Sequence, residues 1–159
     1  PYTTLFRSLF FGAQVQSGNG VRLFDNGRVI VSSLEVDPAS GRQYIHWQRC
    51  RGARNVTSSY GEQGDGLATV IPGMGPPGEE VIAQPGDAVI FVEIAYTYQP
   101  LVSAKFLPNL DIHAIASFNV RDSRDLTQIY QRNAASPDEV QDCGTFSGPM
   151  NVSSAGTIA

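Results

Sequence analysis

Alternation of apolar and polar positions, the mark of a strand with one buried face, is strongest over residues 88–99. Ala88, Ile90, Val92, Ile94, Tyr96 and Tyr98 share one face, Glu93, Thr97 and Gln99 the other, and Pro100 ends the segment. Residues 111–121 repeat the pattern, with Ile112, Ala114, Ala116, Phe118 and Val120 opposed to His113, Ser117, Asn119 and Arg121. Val29, Ile30, Val31, Leu34 and Val36 give residues 28–36 the β-branched and aliphatic content that strands favour. Asp37-Pro38-Ala39-Ser40-Gly41 follows, with a proline that fixes φ and a glycine that tolerates positive φ. A strand over residues 42–50, with Tyr44, Ile45 and Trp47, completes a hairpin.

The remaining segments lack such order. Residues 9–26 carry glycines and polar groups without a sustained period and read as an extended lead-in. Residues 52–87 contain Gly73-Met74-Gly75-Pro76-Pro77-Gly78, which cannot be helical, and form a long loop with room for short strand or helix pieces. A short helix is expected over residues 125–132, and the polar tail over 134–159 would read as disordered without Cys143. The pattern therefore predicts an α+β fold with an antiparallel sheet of about four strands. The apolar faces of the last two strands need a cover, and apart from the short helix over 125–132 no segment is long and periodic enough to supply it. The expectation is a covering N-terminal helix that this fragment lacks.

Residues 1–8, PYTTLFRS, match the in-frame translation of the end of a widely used sequencing-library adapter, and are expected to be non-biological. The expected organisation is then one domain over residues 9–133, followed by the tail at 134–159, tied by a disulfide if its cysteine pairs. With 159 residues and 42% apolar content the chain suits a single core. A net charge of −4 offers no basic face for phosphates, so no nucleic-acid partner is expected. Arg49, Arg51 and Arg54 form one dense basic cluster, read as a solvated loop or strand edge. Cys50 and Cys143 allow either a disulfide, which suits an oxidising compartment, or two buried thiols.

Candidate chemistry is sparse. Gly73, Gly75 and Gly78 satisfy the spacing of a dinucleotide-binding loop, but prolines fill the variable positions and Glu79 and Glu80 would repel phosphate. His46 and His113 lie in predicted strands without metal-ligand spacing, and no serine sits in a nucleophile elbow. Glu93 is the one carboxylate interrupting an apolar strand, which polar-face alternation already explains. Tyr96 and Tyr98 belong to an apolar face yet carry hydroxyls that want partners when buried. No catalytic residue, cofactor, metal or small-molecule substrate is expected.

In their order and spacing, several phrases resemble the TadE/TadG-like minor pilins (pseudopilins) of the tight-adherence (Flp) pilus. Residues 89–101, VIFVEIAYTYQPL, resemble that family's V-E-V-x-Y-x-Y-x-P-L strand through Glu93, Tyr96, Tyr98 and Pro100. Residues 45–52, IHWQRCRG, resemble its I-x-W-Q-R-x-x-G strand through Trp47, Gln48 and Arg49. Residues 25–30 resemble the start of its first strand and residues 121–130 the segment after its last, so the likeness spans about 24–130. The resemblance implies a pilin-like structural subunit acting in pilus assembly through other pilins or assembly proteins. It also implies a periplasmic domain anchored in the bacterial inner membrane by a processed helix, which this sequence lacks. The alternative is a secreted or periplasmic small binding module without catalytic activity.

Overall fold

The computed structural model describes residues 2–100, 110–120, 133–137 and 139–150. Two helices, α1 (Tyr2–Val21) and α2 (Leu23–Asn26), precede four strands: β1 (Gly27–Val36), β2 (Gln43–Arg51), β3 (Ala88–Thr97) and β4 (Asp111–Val120). The strands form one antiparallel sheet in the order β2-β1-β3-β4. The α+β class and the four-stranded antiparallel sheet match the expectation. At the hairpin turn Asp37 N–H donates to the Arg42 carbonyl at 2.9 Å and Gly41 N–H to the Asp37 carbonyl at 2.8 Å, with Gly41 at φ 69.

The lead-in is helical rather than extended. Its glycines and polar residues hide any period, and the helix is held by packing on the sheet more than by propensity. Phe10 and Phe24 are fully buried and meet edge to face at 6.1 Å. With Phe11, Ala13, Leu23 and Met150 they lie on Val29, Val31, Ile90, Val92 and Ile94. Gly18, at φ 62 and ψ 179, interrupts the helix near its end, and the Tyr96 hydroxyl donates to the Val21 carbonyl there at 2.8 Å. So the apolar face of β1 and β3 has its cover from residues of this chain, and the inference of an absent covering helix fails on that face. Beyond β3 the cover stops: every position of β4 from Asp111 to Asn119 is exposed.

The opposite face is also covered. Leu34, Ile45, Met74, Ala83, Val89 and Phe91 form a buried cluster there, with Val36, Tyr60, Ile71 and Val81 packed on it. Half of these come from the loop over residues 52–87, which folds back on itself through an isolated bridge between Met74 and Val81. Alternation marks the face carrying Glu93 as polar, but that face lies under this loop. The long loop is thus a second layer.

Tail and sheet are locked together at Arg28, which is 1% exposed. Its Nη1 donates to the carbonyls of Gly52 and Thr145, both at 3.1 Å, and its Nη2 to the Cys143 carbonyl at 2.6 Å. The guanidinium lies 4.2 Å from the centre of the Phe146 ring. Burial, which strips water from the guanidinium, pulls the Arg28 pKa below the usual arginine range. Beside it Cys50 and Cys143 form a disulfide with Cα atoms 4.8 Å apart. Cys50 N–H donates to the Gln141 carbonyl and Gly52 N–H to the Ser147 carbonyl, each at 2.9 Å, so the tail runs along β2. Gly52, at φ 129, must be glycine, because a Cβ there would lie 2.6 Å from Arg28 Cα.

The arginine cluster is correspondingly not a solvated face. Arg51 is buried and its Nη1 donates to Gln141 Oε1 at 2.9 Å, while Arg54 pairs with Asp111 at 2.7 Å. The helix expected at 125–132 lies outside the described residues. Among those described, no helix is long and apolar enough to cross a membrane.

Replacing Cys50 and Cys143 together by serine frees a 93-residue separation. Chemical denaturation is expected to show a loss of about 4 kcal/mol on the chain-entropy account. Arg28→Met leaves three carbonyls without their donor and should cost about 2–4 kcal/mol by the same measurement, with the disulfide still formed.

Candidate functional site

Pairing places the centre of β3 between two neighbours on the loop-covered face: Glu93 opposite Ile30 on β1 and opposite Ile115 on β4, and Ala95 opposite His113. The chain over residues 55–60 crosses above these positions. An open groove of about 710 Å³ runs between them, lined by Asn55, Thr57, Tyr60, Glu93, His113 and Ile115 among others. Arg54, next to Asn55 in the chain, pairs with Asp111, which also accepts from the Thr97 hydroxyl at 2.9 Å.

Glu93 is buried at the base of this groove. Ser58 Oγ donates to Oε2 at 2.5 Å and Ser59 N–H to Oε1 at 2.9 Å, so each carboxylate oxygen holds one donor of the loop. Ser58 Oγ in turn accepts from Tyr60 N–H at 3.1 Å. Burial raises the Glu93 pKa above the usual carboxylate range, opposed by the bonds from Ser58 and Ser59 and by the charge of His113. The carboxylate therefore staples the loop to the sheet at the cost of desolvating a charge. The groove offers hydroxyl, amide and imidazole groups beside apolar walls, a lining suited to a small polar ligand or an extended peptide.

The residues singled out by the resemblance are spread over the sheet. Gln48 donates to Ser32 Oγ at 2.9 Å and to the Gly61 carbonyl at 3.0 Å, anchoring the loop a short way from Glu93. Arg49 bonds the Gln48 carbonyl at 2.6 Å and Gln63 Oε1 at 3.2 Å, and burial lowers its pKa. Trp47 packs on the opposite face beneath the helical layer. Tyr96 is a core residue with its hydroxyl satisfied by α1, whereas Tyr98 lies past the end of β3, partly exposed, and Pro100 is half-buried beyond it. Gln48 and Glu93 thus share one task, fastening the loop; Cys50 and Cys143 are joined beside it, where a second hollow of about 410 Å³ is lined by Arg28, Gln48, Cys50, Ser58 and Phe146.

One polar cluster escapes the sequence reading. Glu35 is buried, accepts from Ser33 Oγ at 2.6 Å and pairs with His46 Nδ1 at 2.9 Å. A β-bulge at Ser33/Leu34 makes His46 the unpaired extra residue of β2 and turns it toward Glu35. The signal is Glu35, a carboxylate set between the apolar Leu34 and Val36 at the end of a strand. The serine bonds the carboxylate rather than the imidazole, so the order differs from an acyl-transfer triad.

Among the described residues no three His, Cys, Asp or Glu side chains converge as metal ligands, and the sulfur of Cys50 is held in the disulfide. Gly73, Gly75 and Gly78 shape the turn around the Met74–Val81 bridge, with neither the strand before nor the helix after that a dinucleotide loop requires. No family model, curated protein or solved structure matches this chain.

Because the folded state binds the Glu93 proton more tightly than an unfolded glutamate does, this group adds stability as pH falls. The gain grows from above the raised folded pKa and is complete below the unfolded value of about 4.3. Glu93→Gln keeps an acceptor for Ser59 and a polar contact for Ser58 without the charge. Melting curves from pH 7 down to about 4.5 should show the wild type gaining on the variant, and parallel curves would refute the assignment.

Proposed function

We propose that this chain is the extracytoplasmic part of a TadE/TadG-like minor pilin, a non-catalytic subunit that works in tight-adherence pilus assembly by protein–protein contact. The observation that carries the reading is the ordered set of phrases at residues 25–30, 45–52 and 89–101, which fall in sequence on β1, β2 and β3 and their flanks. The phrases make physical sense as a set. Gly52 permits the close approach of β2's end to Arg28, Gln48 and Glu93 fasten the loop, and Tyr96 holds the end of α1. A helix packed on a four-stranded antiparallel sheet suits a pilin-like subunit, and the disulfide suits an oxidising periplasm. The covered face of β1 and β3 lends the reading no support, so the phrases bear most of the weight.

A second reading, a secreted or periplasmic binding module, is favoured by the groove above Glu93. The gene separates the two. The pilin reading expects about 20 apolar residues encoded ahead of α1 and retained in the inner membrane after cleavage at a prepilin-type site. The binding module expects a signal peptide removed in full. Deleting the gene should abolish piliation and surface adherence, with both restored by the plasmid-borne gene. Normal piliation in the deletion strain would sink the proposal.

A further inference from the structure

The two edges of the sheet differ in how they are finished. Along β2, Ile45 N–H donates to the Asp65 carbonyl and the Ile45 carbonyl accepts from Gly64 N–H, both at 2.8 Å, while the Cys50 amide is held by Gln141. The loop and the disulfide-tied tail therefore occupy that edge. Along β4 the ladder to β3 is the one strand pairing among the described residues, none of which pairs with its other edge. A ten-residue strand with a free edge is a template for another strand. The usual deterrents are missing, for Asp111–Val120 contains no lysine, arginine or proline, and its single carboxylate is already paired with Arg54.

The side chains of β4 say which strand would fit. Ile112 and Phe118 extend the apolar face that begins with Ile90 and Tyr96, and remain 40% and 55% exposed. Ile115 points to the groove side, 44% exposed. A strand that adds here must supply an apolar partner at each of these positions, on the matching face. Another β4 does so in one register. With a two-fold axis at Ile115, antiparallel pairing sets Ile115 opposite its own copy, Ile112 opposite Phe118 and Ala114 opposite Ala116. Asp111 then meets Asn119, and His113 meets Ser117. Moving the axis to Ala116 sets Ile115 against Ser117, and moving it to Ala114 sets Ile115 against His113. The axis at Ile115 is thus the register that partners all three exposed side chains, and it brings no like charges together.

We infer that a second copy of this chain occupies the open edge, joining two sheets into one of eight strands through antiparallel β4–β4 pairing centred on Ile115. Such an interface is isologous, as closed dimers require, and resembles peptide recognition by strand addition. The inference stands on the edge and its side chains and does not depend on the pilin reading.

Sedimentation velocity of the full, oxidised chain tests it. A concentration-dependent dimer is expected, with amide exchange of residues 111–120 slowing as the dimer forms. Ile115→Lys and Ile115→Glu each place like charges opposite one another at the axis, and each alone should weaken self-association at least ~10-fold. Mixed together, the two variants should associate again. A wild type that stays monomeric at ~100 µM would overturn the inference, including the case in which β4 serves a different protein. So would a dimer indifferent to both substitutions, or protection in the monomer of those amides of 111–120 that the ladder to β3 leaves unbonded. Melting curves of the variants establish that they fold, and the exchange measurement on wild type needs no substitution.

Discussion

The sheet and its polar coverings hold together because a buried cation is surrounded by backbone carbonyls. Arg28 leaves β1 on the face covered by the long loop and binds Gly52, Cys143 and Thr145 at once. Three segments far apart in sequence meet on one planar group, whose fork of donors can serve several acceptors where an ammonium would act as a point charge. The Cys50–Cys143 bond makes that meeting permanent in an oxidising environment. A domain with so much loop has few regular elements from which to build a core. It is a case where cross-linking and a buried guanidinium bonded through both terminal nitrogens replace part of a larger core.

With the tail fixed, the architecture follows as layers. α1 and Met150 cover one face of β1 and β3, and the loop over residues 52–87 covers the other. Gln14 ties the first layer to the tail by accepting from Met150 N–H at 2.7 Å and donating to its carbonyl at 3.0 Å. Gln48 and Glu93 tie down the second. Both layers end before β4, which stays exposed on its two faces. The groove above Glu93 is a consequence of that ending, since the loop reaches β3 and leaves His113 and Ile115 as a shelf beside it. The sheet thus has one edge occupied by loop and tail and one edge, that of β4, with which no described residue pairs.

The four strands and the hairpin turn were legible because each rests on local rules: period-two alternation, β-branched content, and an Asp-Pro…Gly turn. β1 to β4 begin and end within about two residues of the predicted segments. The groove was half legible. Glu93 stood out as a carboxylate in an apolar strand, but its partners Ser58 and Ser59 lie 34 to 35 positions earlier in a loop without period. His46 and Glu35 met through a bulge, which no alternation pattern announces.

By itself, the chain's order of residues determined the class of fold, the strand positions and the turn, because alternation and turn chemistry act between near neighbours. It also limited the chemistry, through a net charge of −4 and two cysteines. Tertiary structure decided that residues 9–26 are helical, since the energy comes from Phe10 and Phe24 packing on strands rather than from helix propensity. It decided that the cysteines pair, that the arginines are interlocked rather than solvated, and that the polar face of β3 is covered. Each of these depends on a contact across many tens of residues, and which distant groups meet is settled by packing the whole chain.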